Sequence, residues 1–242
     1  MKELPLLLLV LSWCGCSSAS AKGQPDMAGS VAGPTLSDSF DGAALDPSWS
    51  VLHRESVDIS VAASALTLTL TQPALWFDAS EGVLVYKQVS GDFKVSATVH
   101  ARRASAPTLP PPPPVHLGGL MARALSSTSE NYVFIVVGHD ANGVSVETKS
   151  TLASSSQYAG VAWPSGDAEL RLCRVGADFS LWKRPPGAAS WTMAQSFSRP
   201  DLPMTLQVGP NIYSSARMPD VQVSFDEVSF AAVSGAADCA ID

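Results

Sequence analysis

The feature that most constrains this chain is a period of two that recurs from Val57 onward, with no long stretch of 3.6-residue periodicity. Leu66, Leu68 and Leu70 alternate with Thr67, Thr69 and Thr71, as in a strand with one face in a core and the other in water. Segments of this kind are expected at 57–61, 65–71, 82–89, 92–101, 118–125, 132–138, 143–150, 168–175, 178–183, 191–197, 205–208 and 221–230. Asp140-Ala141-Asn142-Gly143 and Gly176-Ala177-Asp178 read as hairpin turns, since Asn and Gly tolerate positive φ. About a dozen short strands punctuated this way specify an all-β sandwich or barrel. Tyr132 and Phe134 alternate with Val133, Ile135 and Val137, so both faces are apolar and this strand belongs in the centre of a sheet. The run from Pro107 to Pro114 breaks the rhythm. Proline has no N–H for a ladder, so an extended loop between two strands is expected there.

The N-terminus follows other rules. Lys2 precedes an apolar run, Leu4–Leu11, that is too short for a bilayer needing about 20 residues. The run ends in Trp13-Cys14-Gly15-Cys16, which resembles a bacterial lipoprotein signal, where a Cys after a small residue is cleaved and lipidated. Cys16, preceded by Gly15, is preferred because it leaves Cys173 and Cys239 as an even pair; Cys14 is the alternative register, and plain secretion the alternative to lipidation. The expected organisation is a signal peptide at 1–16, a Ser/Ala/Gly tether at 17–35, one domain at 36–231 and a tail at 232–242. The expected address is the cell envelope, outer membrane or surface, with membrane contact through the lipid alone. Disulfides persist in exported proteins. A Cys173–Cys239 bridge would staple the tail across the sheet, with two separate thiols as the alternative. The formal charge of −7, without a Lys/Arg run, argues against nucleic acid as a partner.

Several motifs stand in a familiar order. Asp38-Ser39-Phe40-Asp41-Gly42 with Leu45-Asp46-Pro47-Ser48-Trp49 has the form D-x-F-(D/N)-G…L-D-P-x-W. Gly91-Asp92-Phe93, Gly118-Gly119-Leu120-Met121-Ala122-Arg123, Asn131-Tyr132-Val133 and Leu170-Arg171-Leu172 follow, then Ser190-Trp191-Thr192 and the closing run from Val223 to Phe230. Over roughly 36–231 the chain resembles the concanavalin A-like lectin/glucanase domains, nearest to uncharacterised bacterial domains related to the C-terminal sandwich of β-xylosidases. The resemblance implies a two-sheet antiparallel jelly roll with a curved, often carbohydrate-facing concave surface. In such a sandwich the first and last strands are neighbours, so Phe40 would share a core region with Phe225 or Phe230, and Trp191 would pack inside.

No catalytic constellation is evident. Glucanases of that superfamily use an E-x-D-x-x-E string to aim two acids at one glycosidic bond, and the sequence has none. Asp167 and Glu169 share a strand face, but Arg171 follows on it, which reads as a solvated acid–base ladder. There is no G-x-S-x-G elbow, and His53, His100, His116 and His139 are scattered singly. Structural calcium is an option if the terminal strands bring Asp38, Asp41 and Asp226 together, since hard cations take carboxylates from loops. Binding an oligo- or polysaccharide requires exposed rings beside hydrogen-bonding groups. Trp76, Tyr86, Tyr132 and Trp163 are the aromatic candidates, and Arg123, Glu147 and Arg171 the polar ones; Phe77, Tyr213 and Lys149 accompany them. Non-catalytic glycan recognition is therefore the expected function, with a structural or protein-interaction module as its alternative and a glycoside-hydrolase-like enzyme as the third reading.

Overall fold

A computed structural model describes residues 36–77, 80–125 and 129–242. The leader with Cys14 and Cys16, and the tether, lie outside the described residues. Those described form an early set of strands, β1 (Ser50–Leu52), β2 (Val57–Ala62), β3 (Ala65–Leu70), β4 (Val83–Ser90) and β5 (Phe93–Arg102). After the proline-rich connection come β6 (His116–Arg123), β7 (Tyr132–Asp140), β8 (Gly143–Leu152) and β9 (Ser155–Ala162). The chain then closes through β10 (Asp167–Val175), β11 (Asp178–Arg184), β12 (Thr192–Ser198), β13 (Thr205–Ser214) and β14 (Gln222–Ala232).

Two antiparallel seven-stranded sheets stack as a sandwich. The front sheet has the order β1-β4-β13-β6-β7-β8-β9, and the back sheet β12-β11-β10-β5-β14-β3-β2. The alternation decides which side chains meet between them. Leu66, Leu68 and Leu70 of β3, Leu170 and Leu172 of β10, and Phe225 and Phe230 of β14 face Val133, Ile135 and Val137 of β7 in one buried core. Each such side chain contributes about 1.5–3 kcal/mol on burial. The terminal strands are neighbours as expected: Asp38 bridges Val228, and Phe40 lies in the same core as Phe225 and Phe230.

Strand β7 is apolar on both faces because both faces are covered. Tyr132, Phe134 and Val136 join Trp76, Leu84, Leu117, Met121 and Tyr213 in a second buried cluster on the outer side of the front sheet. The segment between β3 and β4 folds back over that side and supplies Trp76.

Three expectations are corrected. Trp191 does not pack in the core; it lies half-exposed outside the back sheet, with the Arg171 and Arg184 guanidinium groups 4.0 and 4.2 Å from its ring centroid. Its strand starts one residue later, so its side chain follows the connection and not the ladder. Strand β13 continues past Val208 through Gly209-Pro210. Pairing with β4 runs to Val208↔Lys87 and resumes at Asn211↔Leu84, so the proline falls where the ladder is interrupted. Strand β9, Ser-Ser-Gln-Tyr-Ala-Gly-Val-Ala, was not foreseen. It is an exposed edge with little to bury, so it shows no alternation.

Cys173 of β10 is disulfide-bonded to Cys239 in a short 3-10 turn beyond β14. Leu170 and Leu172 enter the core, while the alternate residues Arg171 and Cys173 face outward, beneath the tail.

Candidate functional site

The segment that covers the front sheet is anchored by backbone and ring contacts. Ser214 N–H donates to Ala74 O at 2.7 Å, and the Tyr132 hydroxyl donates to Trp76 O at 2.6 Å. The Trp76 indole meets Tyr132 edge-on, with centroids 5.5 Å apart. Gly82 makes room for it, since a Cβ there would stand 2.1 Å from Trp76 Nε1.

Beside this cover lies a cleft of about 280 Å³. Leu75 and Phe77 form one wall, Val115 and Ser215 a second, and the Asp140-Ala141-Asn142 turn a third; Glu147, Lys149 and Tyr213 form the floor. Tyr158 of β9 stands at the rim, 60% exposed, opposite Phe77 at 40%. The two rings are nearly perpendicular, with centroids 6.0 Å apart.

The floor is charged and buried. Glu147 Oε1 accepts from the Tyr213 hydroxyl at 2.8 Å and faces Lys149 Nζ at 3.4 Å. Burial pushes the Glu147 carboxyl above the usual carboxylate range, and Lys149 and Tyr213 recover only part of that shift. Burial and the nearby Glu147 charge raise the Tyr213 phenol well above its ordinary value. Lys149 Nζ lies 4.8–5.7 Å from the ring centroids of Phe134, Phe77, Tyr213 and Tyr158, and donates to Trp76 O at 3.2 Å.

Asp140 completes the polar set. Its Oδ1 accepts from Asn142 N–H at 2.6 Å. Its Oδ2 lies over Gly160, where an added Cβ would stand 2.5 Å from Oδ2 and 3.9 Å from Ser145 Oγ. Gly160 pairs directly with Glu147, so the Asp140 carboxylate, reaching over Gly160 from the end of β7, shares this face of the sheet with Glu147, and its charge adds to the raising of the Glu147 carboxyl. The Ser145 hydroxyl is buried with no hydrogen-bond partner among the described residues.

The foreseen residues do not form one site. Glu147 is on the floor of the cleft. Trp76 and Tyr132 are fully buried beneath and within the cover, so neither offers a face to a ligand. Burial has a simple cause: the sheet under the covering segment is itself apolar. Arg123 is also buried, held by Glu130 at 2.6 Å and Gln207 at 2.6 Å, with its guanidinium 6.0 Å from the Trp76 ring. Tyr86 is half-buried in a separate groove with Gln88 and Gln207. Trp163 packs against the main core and donates through Nε1 to Asp167 O at 2.8 Å. Arg171 belongs to the other sheet, where Cys239 O, Ile241 O and the Asp242 carboxylate take its guanidinium. Tyr158, Asp140 and Asn142 were missed as site residues. The available signal was an isolated tyrosine in a stretch of Ser, Gly and Ala, which has no core reason to be there.

The three carboxylates expected for calcium do not converge. Asp38 accepts from Phe40 N–H and Trp49 Nε1 (2.8 and 2.7 Å), and Asp41 from the Ser39 and Ser64 hydroxyls (both 2.7 Å). Asp226, displaced by a bulge between Phe225 and Val228, turns to His100 Nε2 at 3.1 Å. Among the described residues no group of three or more His, Cys, Asp or Glu side chains could hold a metal. Asp167 pairs with His100 Nδ1 at 2.6 Å and with Arg102, and Glu169 with Arg184, so the expected acid–base ladder is present with different partners. Burial opposes the charged imidazole, but hydrogen bonds to Asp167 and Asp226 leave His100 raised overall.

No protein-family model matches the sequence, and no curated protein matches it. Solved structures do. A functionally unknown protein from Saccharomyces cerevisiae superimposes with TM-score 0.61 at 16% identity, over 78% of this chain and 98% of that one. The GH43 protein BlXynB from Bacillus licheniformis gives 0.65 at 13% identity, over 82% of this chain. This chain spans only 39% of the length of BlXynB. An immunostimulatory antigen and pseudo β-1,3-glucanase of Mycobacterium tuberculosis gives 0.56 at 12% identity, over 81% and 98%. The likeness is one of fold. The sandwich agrees with the concanavalin A-like expectation, and no family match assigns it to a particular group.

Proposed function

We propose that this sandwich recognises glycan without cleaving it, through the cleft beside Trp76, as an exported, envelope-associated protein tethered at Cys16. The observation that carries the reading is the Phe77–Tyr158 corner, two exposed rings standing over Asp140, Asn142 and Glu147. Pyranose C–H faces pack on rings, while carboxylate and amide groups bond the hydroxyls. The names of the fold neighbours, a GH43 protein and a pseudo β-1,3-glucanase, support a carbohydrate context. Glu147 Oε1 is already engaged by Tyr213 and Lys149, which suits a fixed acceptor.

The test is affinity electrophoresis of the mature protein through gels containing xylan, laminarin or another neutral polysaccharide. Retention by at least one is expected. Tyr158→Ala should weaken retention by at least about tenfold, roughly 1.4 kcal/mol, with an unchanged melting temperature because the ring is mostly in solvent. A folded protein retained by no polysaccharide would sink the reading. For the tether, full-length protein should partition into detergent, and Cys16→Ser should not.

One observation favours a second reading. Asp140 and Glu147 line the same cleft, and burial raises the Glu147 carboxyl, as in sites where two carboxylates divide the roles of acid and base or nucleophile. Release of reducing ends, abolished by Glu147→Gln, would replace recognition by hydrolysis.

A further inference from the structure

We infer, resting on glycan recognition at the cleft, that its ligand is the terminal sugar residue of a neutral glycan, and neither an internal stretch of polysaccharide nor an acidic sugar. The cleft is blind on its inner side. Trp76 is 0% exposed, its carbonyl is held by Tyr132 and Lys149, and Ala74 is bridged to Ser214. Beyond this cover lies a separate groove on β4 and β13, between Tyr86 and Gln207. A polysaccharide laid across the strands would have to pass through the covering segment.

Size and shape agree with an end-on ligand. A volume of about 280 Å³ is at the low edge of the roughly 300–1,000 Å³ typical of small-molecule pockets, room for about one or two sugar rings. Phe77 and Tyr158 meet at an interplanar angle of 82°, a corner that seats one ring, whereas a flat aromatic strip would seat a chain.

Charge sets the class. Asp140 and Glu147 are the acids in the cleft, and Lys149, the one cation among its described lining residues, already faces Glu147 at 3.4 Å. A uronate would bring a third carboxylate to a cleft whose Glu147 and Lys149 are buried, on a protein of net charge −7. Hydroxyls are what the groups can read. Asp140 and Asn142 of the turn line the cleft beside Glu147, so neighbouring carboxylate and amide groups can bond adjacent ring hydroxyls.

Calorimetric titration of the mature protein with xylobiose and xylohexaose, cellobiose and cellohexaose, laminaribiose and laminarihexaose, and trigalacturonate tests this. In whichever neutral series binds, biose and hexaose should agree within about threefold per chain, because the added rings touch nothing. Stoichiometry on the hexaose should be one protein per chain. Trigalacturonate should bind at least about tenfold more weakly, and Asp140→Asn should narrow that gap. A hexaose more than about tenfold tighter than its biose, or trigalacturonate as tight as the neutral sugars, overturns the inference while leaving glycan recognition standing. Retention by long polysaccharide without oligosaccharide binding does the same. Absence of both overturns the two together.

Discussion

Replacing Trp76 by alanine is expected to destabilise the domain by about 3–5 kcal/mol, the range for removing a buried aromatic side chain. The indole is 0% exposed, packs edge-on against Tyr132 and lies 6.0 Å from the Arg123 guanidinium. Its loss leaves a void in the cluster it forms with Tyr132, Phe134 and Met121, which the partly buried Leu75 and Val115 at its margin do not fill. Chemical denaturation should show the drop in midpoint, and the folded variant should bind a hydrophobic dye that the parent does not. Gly82→Ala should act in the same direction, because its Cβ would occupy the space of the indole edge. A Trp76→Ala protein within about 1 kcal/mol of the parent would mean that the covering segment is not part of the folded core.

The second large effect concerns the tail. Breaking the Cys173–Cys239 bridge, by Cys173→Ala with Cys239→Ala, is expected to cost about 4 kcal/mol, because the bond closes a 66-residue separation in the unfolded chain. The tail would not be released entirely. Arg171 still donates to Cys239 O at 3.0 Å and Ile241 O at 2.7 Å, and Arg184 and Trp191 still donate to the Asp242 carboxylate, each at 2.9 Å or less. Those donors hold the Asp242 carboxyl well below its usual range, the indole of Trp191 first, then Arg184 and Arg171. A lowered carboxyl supports the folded state above its unfolded pKa of about 3.9 and loses that support as pH falls through the folded value. The bridgeless variant should therefore show a steeper acid loss of tail order than the parent, read as hydrogen exchange at 236–241. Equal unfolding midpoints for the bridged and bridgeless proteins would contradict the assignment.

The ladder was legible because period two is a property of neighbouring residues. Leu66, Leu68 and Leu70, or Leu170 and Leu172, declare their face without reference to anything distant. The double-apolar pattern of β7 was legible too, and it already implied that something covers the front sheet. The identity of that cover was not legible. Trp76 sits in a segment without periodicity, and a tryptophan there has the same local sequence whether it plugs a core or offers a platform. The site was harder still. Asp140 reads as a turn residue and Glu147 as one acid among 22; they come to one cleft only because β7, β8 and β9 pair in sequence and the Asp140 carboxylate reaches over Gly160, opposite Glu147. Arg123 and Arg171, similar by sequence context, ended on opposite sheets.

By itself the sequence determined the all-β class, the alternation that separates core from surface, and, through the order of its motifs, the neighbouring terminal strands. These follow from side-chain alternation, turn chemistry and motif order, which act locally or over the whole chain at once. Only the tertiary structure decided which aromatics are buried, that the calcium candidates point apart, and that Tyr158 and Phe77 frame a cleft over a carboxylate pair. Those outcomes depend on which strand lies beside which and on what folds over the open face, and such contacts between distant segments leave no periodic trace in the chain.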